Sequence, residues 1–121
     1  MNARQPASGE KGRLIASYET LASAIFCMPV RAIDIHTLKG TADTLIERLP
    51  IGLPQYHSRN QAVLRALFGL DGEPRSRAEI GRELGLSPER IRQIRNQALR
   101  MLRHPSRSEQ LSGLILGKGS K

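Results

Sequence analysis

The chain has 121 residues, a formal net charge of +8, only 3% aromatic residues and no Trp. This length accommodates one domain, or a small domain with an appendage, and excludes two full domains. A core poor in aromatic side chains must be built from Leu, Ile, Ala and Val, which favours packed helices over sheets, so we predict an all-α fold.

The cysteine content excludes two further classes of protein. Cys27 is the only cysteine, which rules out an internal disulfide and a cysteine-rich zinc site. We interpret it as a small buried hydrophobe of a cytoplasmic protein, within the apolar run 22–30. Because that run is too short to span a bilayer, and residues 1–12 do not have the order of a secretory signal, we predict no export and no membrane partner.

The first 57 residues predict a helical appendage. Residues 1–12 are rich in Ala, Ser, Gly and charge, which is typical of a disordered lead. Residues 13–27 carry apolar side chains at helical spacing, and a second helix is predicted over residues 41–49. Turn residues then mark residues 51–57 as a linker. The appendage with its linker is therefore predicted to span residues 13–57.

Helix start signals become sharper beyond the linker. Ser58 precedes Gln61 by three residues, and Ser76 precedes Glu79 by the same interval. Both pairs have the spacing of a capping box, in which each side chain satisfies a free backbone N–H of the other residue. They predict the starts of two successive helices.

A third helix completes a recognisable motif. Ser87 is predicted to cap it, with Pro88 in its first turn, where a missing N–H costs nothing. The helix should continue to about Arg103, because the proline that follows cannot extend it. A short helix, a turn containing Gly85 and a longer helix together predict a helix-turn-helix.

The positive charge is concentrated in the segment that carries this motif. Residues 1–57 contain six Lys or Arg against five Asp or Glu, residues 58–107 eleven against five, and residues 108–121 two against one. The net charges are therefore +1, +6 and +1, and the +6 segment predicts a polyanionic partner. We predict a helix-turn-helix domain over residues 58–111, followed by a flexible tail over residues 112–121.

The third helix separates two faces on a helical wheel. Its apolar side chains, which should be buried, share one stripe: Ile91, Ile94, Ala98 and Leu102. Polar and charged side chains share the opposite face: Glu89, Arg92, Gln93, Asn96, Arg100 and Arg103. Gln and Asn can pair with adenine, Arg with guanine, and Glu can accept from cytosine.

These two faces predict a double-stranded DNA partner. The N-terminal part of a recognition helix meets base edges, so Glu89, Gln93 and Asn96 are predicted base readers. Arg100 and Arg103 lie further along the helix and are predicted to contact phosphates. An amphipathic surface helix with a basic, solvated face would show the same pattern, and that alternative stays open on the wheel alone.

Four blocks of sequence carry a family resemblance. They are VLRALFGLDGEP at residues 63–74, EIGRELGL at 79–86, ERIRQI at 89–94 and ALRMLRHPSR at 98–107. Together they resemble region four of bacterial primary sigma factors over about residues 58–111. The resemblance implies a domain that docks on the flap of the RNA polymerase β subunit and reads the promoter's minus-35 element in the major groove.

The resemblance also assigns roles to single residues. It implies base reading by Glu89 and Gln93 and contacts to the DNA backbone by Arg90, Arg92 and Arg100, and we add Ser87, at the start of the helix, to the backbone contacts. The family has an arginine that reads bases where this chain has Pro88. It often has Arg at the position of Leu67, Glu at that of Arg95 and Lys at that of Gln97.

No pattern in the sequence supports an enzyme. His36, His57 and His104 are isolated, with no carboxylate or second histidine at metal-ligand spacing. We therefore predict no catalytic residue, no metal and no cofactor.

Three functions follow from this sequence. The leading hypothesis is a DNA-binding transcription regulator resembling a stand-alone sigma region four that also docks on RNA polymerase. The second is an adaptor that occupies the polymerase flap, or competes with a sigma factor, with little DNA specificity. The third is a helix-turn-helix repressor that forms a homodimer through its N-terminal helices, since a lone helix-turn-helix rarely binds tightly.

Overall fold

The computed structural model describes residues 16–117, and these residues are mainly helical. The helices are α1 (residues 16–26), α2 (Ile35–Glu47), α3 (His57–Phe68), α4 (Arg77–Leu84), α5 (Pro88–Arg103) and α6 (Pro105–Ser112). Two short strands, β1 (Val30–Ala32) and β2 (Ile115–Gly117), and a 3₁₀ turn (Pro54–Tyr56) complete this part of the chain. The predicted disordered lead lies outside the described residues.

The end of α1 corrects the prediction of a buried cysteine. Cys27 has a φ of 57°, in the left-handed region, and the N–H of Met28 donates to the carbonyl of Ser23 at 3.2 Å. This arrangement satisfies a free carbonyl at the helix end and reverses the chain before Pro29. Cys27 is therefore exposed rather than packed in the core.

A two-stranded antiparallel sheet pairs the segment between α1 and α2 with the C-terminal end of the described residues, and it was not predicted from the sequence. Val30 pairs with Gly117 and Ala32 with Ile115. Side chains of α1 occupy the other edge of β1: Ser23 Oγ accepts from the N–H of Val30 at 3.1 Å, and Glu19 Oε2 accepts from that of Ala32 at 2.8 Å. Residues 115–117 therefore form a strand where a flexible tail was predicted.

The helix α2 begins six residues before its predicted start. Asp34 is its N-cap, and its Oδ1 accepts from the N–H of His36 at 3.0 Å. The cap satisfies a free donor at the helix start. The helix then buries Leu38 and Ala42, together with Leu45 and Ile46, on one face.

The segment between α2 and α3 is held in place by side chains of α3. Ile51 is fully buried, Asn60 Nδ2 donates to its carbonyl at 2.8 Å, and Gln61 Nε2 donates to the carbonyl of Leu49 at 3.0 Å. The predicted capping box at Ser58 is wrong, because α3 begins at His57 without a side-chain cap. Gln61 binds the preceding segment instead of its own helix end.

Apolar side chains from both halves of the chain form one cluster. Leu21 of α1 and Leu38 of α2 belong to the same buried cluster as Leu64 of α3 and Leu102 of α5. The division into an appendage and a domain over residues 58–111 stays a prediction. Limited proteolysis tests it: a stable fragment released by cleavage near residues 51–57 would support two units, and simultaneous loss of both halves would support one.

A polar network also joins the two halves. Arg65 of α3 donates from Nη1 to Asp43 of α2 at 2.8 Å and from Nη2 to Asp71 at 2.6 Å. The buried Tyr18 hydroxyl of α1 donates to Asp43, which also accepts from Lys39 Nζ at 2.9 Å. Arg65 and Asp43 side chains are each only 21% exposed. The network therefore ties α1, α2, α3 and the loop after α3 together.

The charges in this network perturb one another. Burial alone would raise the pKa of Asp43, but hydrogen bonds from Tyr18, Arg65 and Lys39 outweigh it and hold that pKa below its ordinary value. The hydrogen bond from Arg65 likewise lowers the pKa of Asp71. Burial, followed by the bond to Asp43, raises the pKa of Tyr18. The folded protein thus favours both carboxylates in their charged form.

We expect Arg65→Ala to lower the free energy of unfolding by about 1 to 3 kcal/mol at neutral pH, because it leaves Asp43 half-buried without its main cation. Urea unfolding monitored by circular dichroism measures this loss. The matched control is Arg75→Ala, since Arg75 pairs with Glu83 on the surface, where both side chains are more exposed. That control should cost less than about 1 kcal/mol.

The same network predicts a pH dependence. A carboxyl whose pKa is depressed in the folded state stabilises the protein above its unfolded pKa of about 3.9, and this contribution is lost as the pH falls through the folded value. The difference in unfolding free energy between the wild type and Arg65→Ala should therefore shrink below about pH 4. A difference that stays constant from neutral pH to pH 3 would contradict the assignment.

Candidate nucleic-acid interface

The helix α4 begins with the predicted capping box. Ser76 Oγ accepts from the N–H of Glu79 at 3.1 Å, and Glu79 Oε1 accepts from the N–H of Ser76 at 2.9 Å. Both free donors at the helix start are thereby satisfied. This capping-box prediction is confirmed.

The turn between α4 and α5 requires two glycines for different reasons. Gly85 has a φ of 72°, in the left-handed region that favours glycine. The N–H of Leu86 then donates to the carbonyl of Gly81 at 2.8 Å. A Cβ on Gly81 would lie only 2.3 Å from the carbonyl oxygen of Leu86. This close contact between the backbones of Gly81 and Leu86 fixes the direction in which α5 leaves the turn.

The helix α5 starts as the sequence predicted. Ser87 is its N-cap, and its Oγ accepts from the N–H of Arg90 at 3.0 Å, with Pro88 in the first turn. The predicted apolar stripe is buried, with each side chain 1% exposed or less: Ile91, Ile94, Ala98 and Leu102. Leu99 joins this buried face at 2%. The burial of one side fixes which side of α5 is presented to solvent.

The exposed side of α5 begins with a cluster of interacting side chains. Arg92 donates to both carboxylate oxygens of Glu89, from Nε at 2.9 Å and from Nη2 at 2.7 Å. Gln93 Nε2 donates to Glu89 at 3.4 Å, and Arg90 Nη1 donates to Gln93 Oε1 at 3.4 Å. The structure thus brings Glu89, Arg90, Arg92 and Gln93 together at the start of the helix.

This cluster keeps Glu89 charged. The hydrogen bond from Arg92 lowers the pKa of Glu89 and raises the pKa of Arg92. Both side chains are about half exposed, at 56% and 46%, so water screens the pair and a competing partner can replace its hydrogen bonds. The side chains of this cluster can therefore give up hydrogen bonds to one another and form hydrogen bonds to a bound partner.

The remaining predicted site residues lie further along α5 and differ in their surroundings. Asn96 is half-buried, and its Oδ1 accepts from Arg95 Nη1 at 3.1 Å. Arg100 is exposed and has no ion-pair or hydrogen-bond partner in the described part of the chain. Of the two, Arg100 is the side chain that is free to meet a phosphate.

Arg103 is already bonded within the protein. Its Nε donates to the carbonyl of Ile25 at 3.1 Å and its Nη2 to that of Ala24 at 2.8 Å. Both carbonyls belong to the last turn of α1, where a cation also complements the helix dipole. The predicted phosphate contact at Arg103 would therefore have to displace an internal contact between α5 and α1.

Within residues 16–117 no group of three or more His, Cys, Asp or Glu side chains is placed to hold a metal ion. Nor does that part of the chain include a helix with the length and apolar character needed to cross a bilayer.

Together, the capped helix, the glycine turn and the longer helix with one buried and one polar face define a helix-turn-helix. Residues 57–104 match the family model described as Sigma-70, region 4. Over these residues the chain is similar to region 4 of sigma-70 factors, a helix-turn-helix domain.

Curated relatives agree with the family model. RNA polymerase sigma factor SigA of Listeria monocytogenes and that of Listeria innocua are each 49% identical over 74 residues, which is 60% of this chain and 20% of each relative. The protein of the same name from a Bacillus species is 46% identical over the same length. The chain thus spans about a fifth of the length of these relatives. No solved structure matches it.

Three features of this region were not predicted from the sequence. Two are Arg77 and Arg95, for which no role was predicted and which line a cleft beside α5. The third is α6, which begins at Pro105 with His104 as its N-cap. A proline at the first position of a helix is favourable, so the same residue that ends α5 starts α6.

The Gly81 contact yields a test with a matched control. Gly81→Ala should lower the free energy of unfolding by about 1 to 3 kcal/mol, because the new methyl group meets the Leu86 carbonyl. Gly40→Ala should raise it by about 0.5 to 1 kcal/mol, since Gly40 is also helical but has nothing within 4 Å of an added Cβ. Urea denaturation of both variants measures the two effects, and equal stabilisation by both would contradict the contact.

Proposed function

We propose that this protein binds double-stranded DNA through the exposed face of α5 and regulates transcription as a stand-alone region 4 domain. The observation that carries the proposal is the pairing of a fully buried apolar stripe with a cluster of the exposed Glu89, Arg92 and Gln93 and the half-buried Arg90. The helix is long enough to enter a major groove with that cluster at its leading end.

In this mechanism different residues of α5 contact different parts of the DNA. Glu89 and Gln93 exchange their internal hydrogen bonds for base edges, and Asn96 supports reading from the next turn. Ser87, Arg90, Arg92 and Arg100 contact the sugar-phosphate backbone and set the register of the helix in the groove. Arg103 holds α1, so the appendage stays attached while α5 is in the groove.

The exposed apolar surface favours this function over a flap-binding adaptor. Among the described residues of the matched region, Leu84 is the only large hydrophobic side chain that is markedly exposed, at 39%. Protein-binding surfaces concentrate large apolar side chains at their centre. On the polar face of α5, in contrast, Glu89, Arg92, Gln93 and Arg100 are exposed.

Protein partners follow from the relatives. Since they are named RNA polymerase sigma factors, RNA polymerase is the protein partner that we propose, with contact to the β flap as a finer prediction. A homodimer through the N-terminal helices has less support, because Leu21, Ile25, Leu38 and Ile46 of those helices are buried in the chain's own core. A pull-down from host lysate with and without nuclease distinguishes polymerase bound directly from polymerase bound through DNA.

Salt dependence tests the DNA contact. If about four to six arginines engage phosphates, the log of the affinity for duplex DNA should fall with the log of the salt concentration with a slope of about −3 to −6. Arg100→Ala should flatten this slope by about one unit. Arg103→Ala should instead lower stability with little change in slope, because Arg103 binds carbonyls of α1. A flat response for the wild type would remove the DNA contact and favour the adaptor.

Base reading has a separate signature. Gln93→Ala should cost about 1 to 3 kcal/mol on the preferred duplex, much less on random duplex, and leave the salt slope unchanged. Pro88→Arg should move the preference toward a minus-35-like sequence, because it restores the arginine that the family uses there. Selections on randomised duplexes measure both. Equal losses on preferred and random DNA, with no shift for Pro88→Arg, would mean that α5 grips only the backbone.

A further inference from the structure

A cleft of about 620 Å³ lies between α1, the end of α3 and the polar side of α5. Its floor is apolar, with Leu67 and Phe68 of α3 and Pro74 of the following loop, and α1 forms one wall through Ala16, Ser17 and Thr20. The volume falls in the range of pockets that enclose small organic ligands, which combine an apolar lining with a few polar groups. The cleft is therefore large enough and apolar enough for more than an ion.

The rim of the cleft is cationic. Arg77, Arg92 and Arg95 line it, and none of its lining residues is acidic. Arg92 is paired with Glu89, and the Glu89 carboxylate also interacts electrostatically with Arg77, although Arg77 has no ion pair in the described part of the chain. Arg95 donates only to the neutral amide of Asn96, so Arg95 is the rim cation that no carboxylate neutralises. An anionic group would complete this rim.

Arg95 joins the charged rim to the apolar floor. Its guanidinium lies 5.6 Å from the centre of the Phe68 ring, in the range of a cation–π contact. A planar guanidinium held in this way can bind a carboxylate, sulfonate or phosphate with two N–H groups, while the ring below contacts an apolar body. The cationic rim of the cleft thus suits the anionic group of a ligand, and the apolar floor suits its hydrocarbon body.

We propose that the cleft binds a small organic anion with an aromatic or aliphatic body, and that this ligand competes with DNA. Competition arises because Arg92 and Asn96 line the cleft and also lie on the predicted DNA-reading face of α5. The ligand site does not depend on the proposed function, whereas the competition between this ligand and DNA rests on that function. A free phosphate, or a phosphate of a DNA backbone, would satisfy the rim but leave the floor empty.

The test uses anilinonaphthalene sulfonate, an aromatic anion whose fluorescence rises in apolar surroundings. We expect saturable binding with one probe per chain and a Kd on the order of 10 to 100 µM, as the size of the probe allows. Inorganic phosphate at the same concentration should not displace it. Displacement by phosphate would show that the cleft binds only a simple anion. Either that result or binding that does not saturate would overturn the proposal.

Three variants locate the probe. Arg95→Gln should weaken its binding about tenfold, as expected for loss of one charged contact, and Thr20→Trp should block the cleft from the α1 side. Arg59→Gln is the matched control, because Arg59 also lies over an aromatic ring, 4.3 Å from the centre of Tyr56, but does not line the cleft. Circular dichroism checks that each variant is folded. Equal losses in Arg59→Gln and Arg95→Gln would place the probe elsewhere and contradict the site.

Measuring DNA affinity in the same variants separates the two proposals. Saturating probe should weaken duplex binding by the wild type and have no effect on Thr20→Trp. If duplex DNA binds but the probe does not, the ligand site is wrong and the proposed function stands. If the probe binds in the cleft and duplex DNA does not bind at all, the ligand site stands and the proposed function is wrong.

Discussion

The structure depends on the burial of one side of α5. Most of the stability of a protein helix comes from packing of its apolar face, and α5 has such a face along its 16 residues. Ile91, Ile94, Ala98 and Leu102 are almost completely buried, and each large aliphatic side chain contributes about 1.5 to 3 kcal/mol when removed from water. Because these residues repeat every three or four positions, their burial fixes the rotation of the helix and leaves its polar residues outside.

The N-terminal part of the chain extends this packing. The helices α1 and α2 add their apolar faces to the core that holds α5, and Arg65 brings the carboxylates of Asp43 and Asp71 to α3. Arg103 adds a direct link from the end of α5 to the end of α1. The helix-turn-helix is thereby stabilised by contacts with the N-terminal part of the same chain.

The features that could be predicted most accurately are those that depend on residues close together in the sequence. The capping box at Ser76 and the cap at Ser87 were predictable because a helix start is set within four residues. The buried and polar faces of α5 follow from helical periodicity, and both lie where the wheel puts them. The same local rule failed at Ser58, where the side chain of Gln61 found a better acceptor twelve residues away in the chain.

What the sequence could not predict depends on contacts between distant segments. The pairing of β1 with β2 joins residues more than eighty positions apart, and neither three-residue strand has a periodic signal of its own. Arg103 lies on the polar side of the wheel, so only its tertiary contact with α1 distinguishes it from Arg100. The cleft beside Arg95 likewise depends on distant segments, because α1 supplies one of its walls.

Entry of the leading end of α5 into the major groove of duplex DNA can be observed by NMR titration of isotope-labelled protein with a duplex taken from binding selections. We expect the largest shifts on the backbone amides of residues 87–97 and on the side-chain amide of Gln93, with small shifts in α6 and around residues 54–62. Shifts that are largest in α2 and α6, or absent from α5 at saturation, would contradict it.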